Sequence, residues 1–190
     1  MSMHEVARDF DEISKVYDET REPVAVDVLR RFREILDERG VRSLLEVGVG
    51  TGRVARPLER AGLEVAGVDA SPGMLGRARS NGVDRLARAT AYRLPFRDRS
   101  FDAALFVHVL HILERPGAAL RESGRVARLG SMGLFHRRPA SEGDAPPAPE
   151  EPRRLVRDYL VQAGYPLPER AVGGPWRREA ALLKSAPPDR

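Results

Sequence analysis

Apolar positions along the chain follow two rhythms that alternate. From Met3 to Tyr17 the apolar residues Val6, Phe10, Ile13, Val16 and Tyr17 recur near helical spacing in an otherwise polar stretch. Pro23 opens a second helix with Val24, Val28, Leu29, Phe32, Ile35 and Leu36 on one stripe, and Gly40 is its stop signal. Ser43 to Val47 is a short apolar strand that runs into Gly48, Gly50 and Gly52. A helix over Arg53–Ala61, ended by Gly62, leads to a second strand, Glu64–Val68, which ends in Asp69. Together these make one strand–glycine loop–helix–strand–acid unit.

The alternation continues to the end of the chain. Ser71 and Pro72 cap a helix that reaches Asn81-Gly82, and Asp84–Ala89 supplies a third strand. Phe101–Val107 reads as a buried fourth strand, Ala118–Ala127 as a helix and Met132–His136 as a fifth strand. Residues 139–152 turn to Pro, Ala, Glu, Asp and Ser without an apolar face, which predicts a solvated flexible linker. A helix over Arg153–Ala163 follows, and then two segments able to pair as strands, Glu169–Val172 and Ala180–Lys184. The pattern predicts one α/β domain over residues 1–190: a doubly wound, mostly parallel, seven-stranded sheet with helices on both faces. N-terminal helices occupy 1–40, the core 41–137, and the last helix and a hairpin 153–190.

Composition narrows the class. A chain of 190 residues suits a single core, and 42% apolar with 32% charged residues is an ordinary globular balance. The longest mostly apolar run, Ala103–Leu113, is too short to span a bilayer and contains two histidines. The opening residues lack the apolar core of a secretory signal, so a cytoplasmic protein without membrane association is expected. Cysteine is absent, which rules out disulfides and thiolate metal sites, and no metal site is expected. Net charge is +4, and every basic residue except Lys15 and Lys184 is arginine. The arginines are spread along the chain without interleaved aromatics, which favours solvated helix faces over a nucleic-acid surface.

The glycine loop carries the chemistry. Leu44-Leu45-Glu46-Val47-Gly48-Val49-Gly50-Thr51-Gly52 places alternating glycines after a strand, where the bare backbone can approach a ligand closely. The spacing is G-x-G-x-G with an acid two residues before the first glycine, not the G-x-G-x-x-G of dinucleotide sites. Asp69, at the end of the second strand, can accept from both hydroxyls of a ribose that carries no 2′-phosphate. The lesser alternative is a solvent-facing helix-capping acid, since Ser71 and Pro72 follow.

Three segments in order, LLEVGVGTG, VAGVDASPGML and YRLPFRDRSFDAALFVHVLHIL, resemble the motifs of class I S-adenosylmethionine (SAM)-dependent methyltransferases of the small-molecule type. FDEISKVYDETREP resembles the N-terminal helix that covers the cofactor in that family, and the likeness spans roughly Phe10 to Phe135. The resemblance implies a Rossmann-like fold and SAM as methyl donor, with S-adenosylhomocysteine as product. It implies that Glu46 orients the loop and the methionine amino group, and that Gly48, Val49, Gly50 and Gly52 form the cofactor loop. Asp69 would hold the ribose, Ala70 and Met74 would flank the adenine, and Ala91 would offer it a backbone N–H. Phe106 and Val107 would sit beside the sulfonium, and Tyr17 and Arg21 would close over the methionine carboxylate. Thr90 stands where the family usually has an aspartate that accepts from the adenine amino group, which implies weaker binding. Arg128-Leu129-Gly130-Ser131 replaces the usual Arg-Pro-Gly-Gly turn.

His108 and His111, just past the fourth strand, are candidate general bases, with half-buried helix residues as the plainer reading. Without cysteine, covalent attack on a pyrimidine is excluded. Phe106 begins FVHV and not the Asn/Asp-Pro-Pro-aromatic motif of amino-methylating nucleic-acid enzymes, so a small-molecule acceptor is favoured. Two alternatives remain open: a SAM-binding sensor or assembly protein without catalysis, and an arginine-rich RNA-binding methyltransferase.

Overall fold

A computed structural model describes residues 3–21, 24, 26–134 and 180–183. Its sheet has six strands in the described residues: β1 (Ser43–Val47), β2 (Glu64–Asp69), β3 (Leu86–Arg88), β4 (Ala103–Val107), β5 (Ser131–Leu134) and β6 (Ala180–Leu183). Their order is β3-β2-β1-β4-β5-β6, with β1 to β5 parallel and β6 antiparallel to β5. The expected linker, the helix over 153–163 and the strand over 169–172 lie outside the described residues.

The helices are α1 (Met3–Ile13), α2 (Val26–Glu38), α3 (Ala55–Arg60), α4 (Pro72–Ser80) and α5 (Pro116–Val126), with a 3₁₀ turn at Leu110–Ile112. Alternate residues of the central strands feed two cores. Leu44, Val65, Ala103 and Leu105 pack with Phe32 and Leu36 of α2, Leu58 of α3 and Ala78 of α4. On the other face Leu45, Val47, Val68 and Phe106 pack with Ala119, Leu120 and Val126 of α5. This is the two-sided cover that a parallel sheet requires. No helix in the described residues is long and apolar enough to cross a membrane.

Several ends differ from the sequence expectation for local reasons. The first helix was expected to reach Tyr17 but stops at Ile13, because the Ser14 hydroxyl donates to the Asp11 carbonyl (2.8 Å) and the chain continues in turns. The fourth strand begins at Ala103, since Phe101 makes only an isolated bridge to Ala127. Asp102, between them, fastens β1 beside β4: it accepts from the N–H groups of Arg42 and Ser43 (both 2.9 Å) and from the Ser43 hydroxyl (3.0 Å). Partial burial pushes its pKa up, but these donors and Arg128 outweigh that and hold it below the usual carboxylate value. The altered turn at Arg128–Ser131 leaves β5 in parallel register with β4, from Ala104 opposite Ser131 to Val107 opposite Leu134.

Strand order reverses direction between β1 and β4. At such a switch point the connections from the two strands leave to opposite faces and open a crevice at their carboxyl ends, where ligands bind in open α/β sheets.

Candidate functional site

At that crevice the chain leaves β1 through Gly48, whose φ is +76°. A side chain there would also collide with Val109. The N–H groups of Gly48 and Val49 both donate to the Val68 carbonyl (2.8 and 2.9 Å), which bends the loop toward β2. Gly50 (φ +55°) turns its N–H onto Asp69 Oδ2 at 2.9 Å, and the Ser71 N–H donates to Oδ1 at 2.9 Å. One carboxylate thus joins the glycine loop to the start of α4. A carboxylate offers about four lone-pair sites, so Asp69 can still accept from two further donors. Burial raises its pKa; the N–H groups of Ser71, Gly50 and Ala70 oppose the rise, and the Asp11 carboxylate adds to it.

The two loop glycines are separable by substitution. Gly50→Ala has open space around its new methyl and reports left-handed strain alone, roughly 1–2 kcal/mol of stability. Gly48→Ala adds the clash with Val109 and is expected to cost about 3 kcal/mol or more. Thermal or urea unfolding of the two variants measures the difference, and equal losses would show that Val109 moves aside freely.

Glu46 lies beneath the loop and is 2% exposed. Burial lifts its carboxyl to a pKa of about 8; the Ala55 N–H donates to it and opposes the rise, while the nearby Asp69 carboxylate adds to it. Its Oε2 has no hydrogen-bond partner among the described residues. An orphaned buried carboxylate oxygen beside a ligand crevice marks a place for a missing donor.

The crevice is a cleft of about 700 Å³, its open mouth included. Of the sequence-derived candidates, Gly48, Gly50, Asp69, Ala70 and Met74 line it from the β1–β2 side. Ala91, Val107 and His108 line it from the opposite side, and Tyr17 covers it. Ala91 is presented by a loop that α5 clamps. Arg125 donates to the carbonyls of Phe96 (2.9 Å) and Leu94 (3.2 Å), and Glu122 accepts from the Leu94 N–H (2.8 Å). His108 is exposed and has φ +53°, a conformation uncommon outside glycine.

Other candidates sit off the cleft. The Phe106 side chain is fully buried in the α5-side core, so only its neighbour Val107 faces the opening. Val49 packs in the opposite core, where a Cβ on Gly67 would come within 2.7 Å of it. Gly52 abuts the end of α4 and the turn after it, where a Cβ would lie 3.6 Å from Ala78 and 2.6 Å from Val83. Thr90 is exposed beside Ala91. Arg21 stacks over the Tyr17 ring at 5.3 Å and does not line the cleft. The backbone of His111 belongs to the 3₁₀ turn, and its side chain lies outside the described residues.

The sequence reading missed much of the apolar wall. Ala7 and Phe10 line the cleft from α1, and Val109, Ile112 and Leu113 line it from the segment after β4. Phe10 meets Tyr17 edge-on, with ring centroids 6.2 Å apart. Helical spacing in α1 was the signal available for Phe10, although spacing alone cannot distinguish a core contact from a cleft contact.

Known proteins share the sequence pattern and the fold. A methyltransferase domain family model matches residues 45–135. The demethylmenaquinone methyltransferase of Renibacterium salmoninarum is 37% identical over 132 residues, covering 66% of this chain and 55% of that protein. The enzyme of the same name from Paenarthrobacter aurescens is 33% identical over 165 residues, covering 84% and 62%. The chain therefore spans little more than half the length of these curated relatives. Among solved structures, a SAM-dependent methyltransferase from Thermotoga maritima, described as a possible histamine N-methyltransferase, is 25% identical with a TM-score of 0.55, covering 84% of this chain and 81% of that one. Magnesium protoporphyrin IX methyltransferase from Synechocystis, solved with bound SAM, shares the fold at 16% identity and a TM-score of 0.62, covering 95% and 94%. With its Rossmann-like sheet, its G-x-G-x-G loop and an acid closing β2, the chain belongs to the class I SAM-dependent methyltransferase family.

Proposed function

We propose that the chain binds SAM in this cleft and transfers its methyl group to a small apolar acceptor. The observation that carries the reading is Asp69: an acid held by Gly50 and Ser71 at the end of β2, with lone pairs left for two ribose hydroxyls. The residues present suit the rest of the cofactor. Gly50 borders open space, with nothing within 4 Å of where a Cβ would stand, and the orphaned Glu46 Oε2 lacks the donor that a methionine ammonium would supply, directly or through water. Met74 and Ala70 form an apolar seat for adenine beside the Ala91 backbone, and Thr90 offers a neutral acceptor at its edge. Val107 stands where the reacting centre would lie, and Tyr17, with Arg21 stacked on its ring, forms the roof.

SAM supplies an already activated methyl group, so the protein must align the acceptor in line with it and exclude water. His108, at the mouth, is placed to accept a proton from an acceptor hydroxyl or amine, and His111 is a second candidate. The curated relatives named for demethylmenaquinone, together with the lining of Phe10, Val109, Ile112 and Leu113, support a flat apolar acceptor over a nucleic acid. On this reading residues 1–190 form one cytoplasmic SAM-binding domain whose sheet gains a seventh strand from residues 169–172.

Calorimetry with SAM, S-adenosylhomocysteine and NAD tests the ligand class. Binding of the first two without NAD is expected; binding of NAD alone would overturn the reading. Methyl transfer from labelled SAM to quinol-type acceptors, with RNA as a control, then separates an enzyme from a binder.

A further inference from the structure

The residues that roof the cleft are not covalently close to it, and the structure shows what holds them there. Asp11 in α1 accepts from the Ser71 hydroxyl (2.5 Å) and the Gly73 N–H (2.7 Å) at the start of α4. Ser71 Oγ in turn accepts from the Met74 N–H at 3.0 Å, so the contact runs through the cap of α4 to a residue that lines the cleft. Seven residues later, Asp18 accepts from the Thr51 hydroxyl (2.5 Å) and from the Asn81 side-chain amide (3.1 Å). Asn81 also donates to the Thr51 carbonyl at 3.0 Å and is the C-terminal cap of α4. The roof is therefore fastened at both ends of α4, and its second fastening reaches into the glycine loop. Between the two carboxylates lies Tyr17, and Phe10 immediately precedes the first.

We propose that Asp11 and Asp18 are positioning residues that latch the N-terminal segment over the cofactor, setting how long SAM stays bound. The proposal rests on the SAM-binding reading above and adds residues that neither the motif nor the family resemblance assigned. A carboxylate is suited to the task because each of its oxygens accepts a charge-assisted hydrogen bond without needing a donor of its own. Gly73 supports it independently. A Cβ at this position would lie 2.7 Å from Ser14 Oγ and 2.9 Å from Asp11 Oδ1, so α1 can dock only against a bare backbone there.

The chain carries its own reporter: Lys15 sits between the latches, and the only other lysine is Lys184. Lysine-specific proteolysis followed by mass spectrometry reads release of the roof as cleavage after Lys15. Asp11→Ala, Asp18→Ala and the double variant are expected to accelerate that cleavage and to speed SAM release by roughly tenfold per latch. Asn at either position keeps a neutral acceptor and should be intermediate. Alanine is a better helix former than the residues it replaces at 11 and 73, so Asp11→Ala and Gly73→Ala should free Lys15 without lowering the melting temperature of the core. That pattern is one a merely structural role would not produce.

Unchanged Lys15 cleavage and unchanged SAM release in a folded double variant would overturn the latch. A wild-type protein that binds no SAM would overturn the functional reading instead, and Lys15 cleavage in the ligand-free variants would still decide whether the latch exists.

Discussion

Alanine in place of Asp69 is expected to weaken SAM binding by roughly 2–4 kcal/mol, a loss of about 30- to 1,000-fold. Two effects combine. The ribose hydroxyls lose a charged acceptor, and the Gly50 and Ser71 N–H groups that now converge on the carboxylate lose theirs, so the glycine loop is no longer tied to α4. Asp69→Asn keeps one acceptor oxygen in an uncharged group and should fall between alanine and wild type. Burial already raises the pKa of this carboxyl, with the nearby Asp11 carboxylate adding to it, so affinity is expected to decline on acidification earlier than for an ordinary aspartate. Calorimetric titration of folded variants measures the loss. SAM affinity that survived Asp69→Ala would remove the ribose assignment and leave Asp69 as a loop tie alone.

The second large effect concerns Glu46 and stability. Its carboxyl titrates near 4.5 when exposed and near 8 in the folded protein, because burial without a second partner disfavours the charge. Below about pH 4.5 both states are protonated and the group contributes its full stability. Between the two values the folded state holds a proton that the unfolded state has released, so stability falls as pH rises through about 8. A shift of this size corresponds to a few kcal/mol in total. Glu46→Gln, which stays neutral, should remove that slope and make the protein more stable than wild type at pH 8.5. The same substitution should weaken SAM, since a bound ammonium would need the ionised form. SAM binding near neutral pH is then expected to release a proton, seen as a buffer-dependent binding enthalpy that the Gln variant lacks. A stability profile of the same slope in wild type and Glu46→Gln would show that Glu46 titrates normally.

The parts of this site legible in the sequence were those written locally. β1, the glycine run and Asp69 lie within 27 residues, and each leaves a mark in spacing or residue type. Within β4 the resemblance named Phe106 and Val107 together, and spacing could not separate them, because four of its five residues are buried and a strand covered on both faces shows no alternation. Phe106 was therefore expected at the sulfonium although its side chain points into the core on the α5 side. Val49 and Gly52 belong to the motif, yet their contacts are with Gly67 and with Val83 respectively, at a separation the motif does not encode. Asp11 and Asp18 were hidden for a related reason. An aspartate whose partners are 33 to 63 positions away looks the same in sequence as one facing solvent.

Every described residue that lines the cleft falls between Ala7 and Leu113. Strands β1, β2 and β4, whose carboxyl ends and the segments that follow them carry much of that lining, are bonded to one another without recourse to β5 or β6. The apolar wall of Phe10, Val109, Ile112 and Leu113 lies in that same stretch, so among the described residues both sides of the cleft are inherited together as one continuous length of chain.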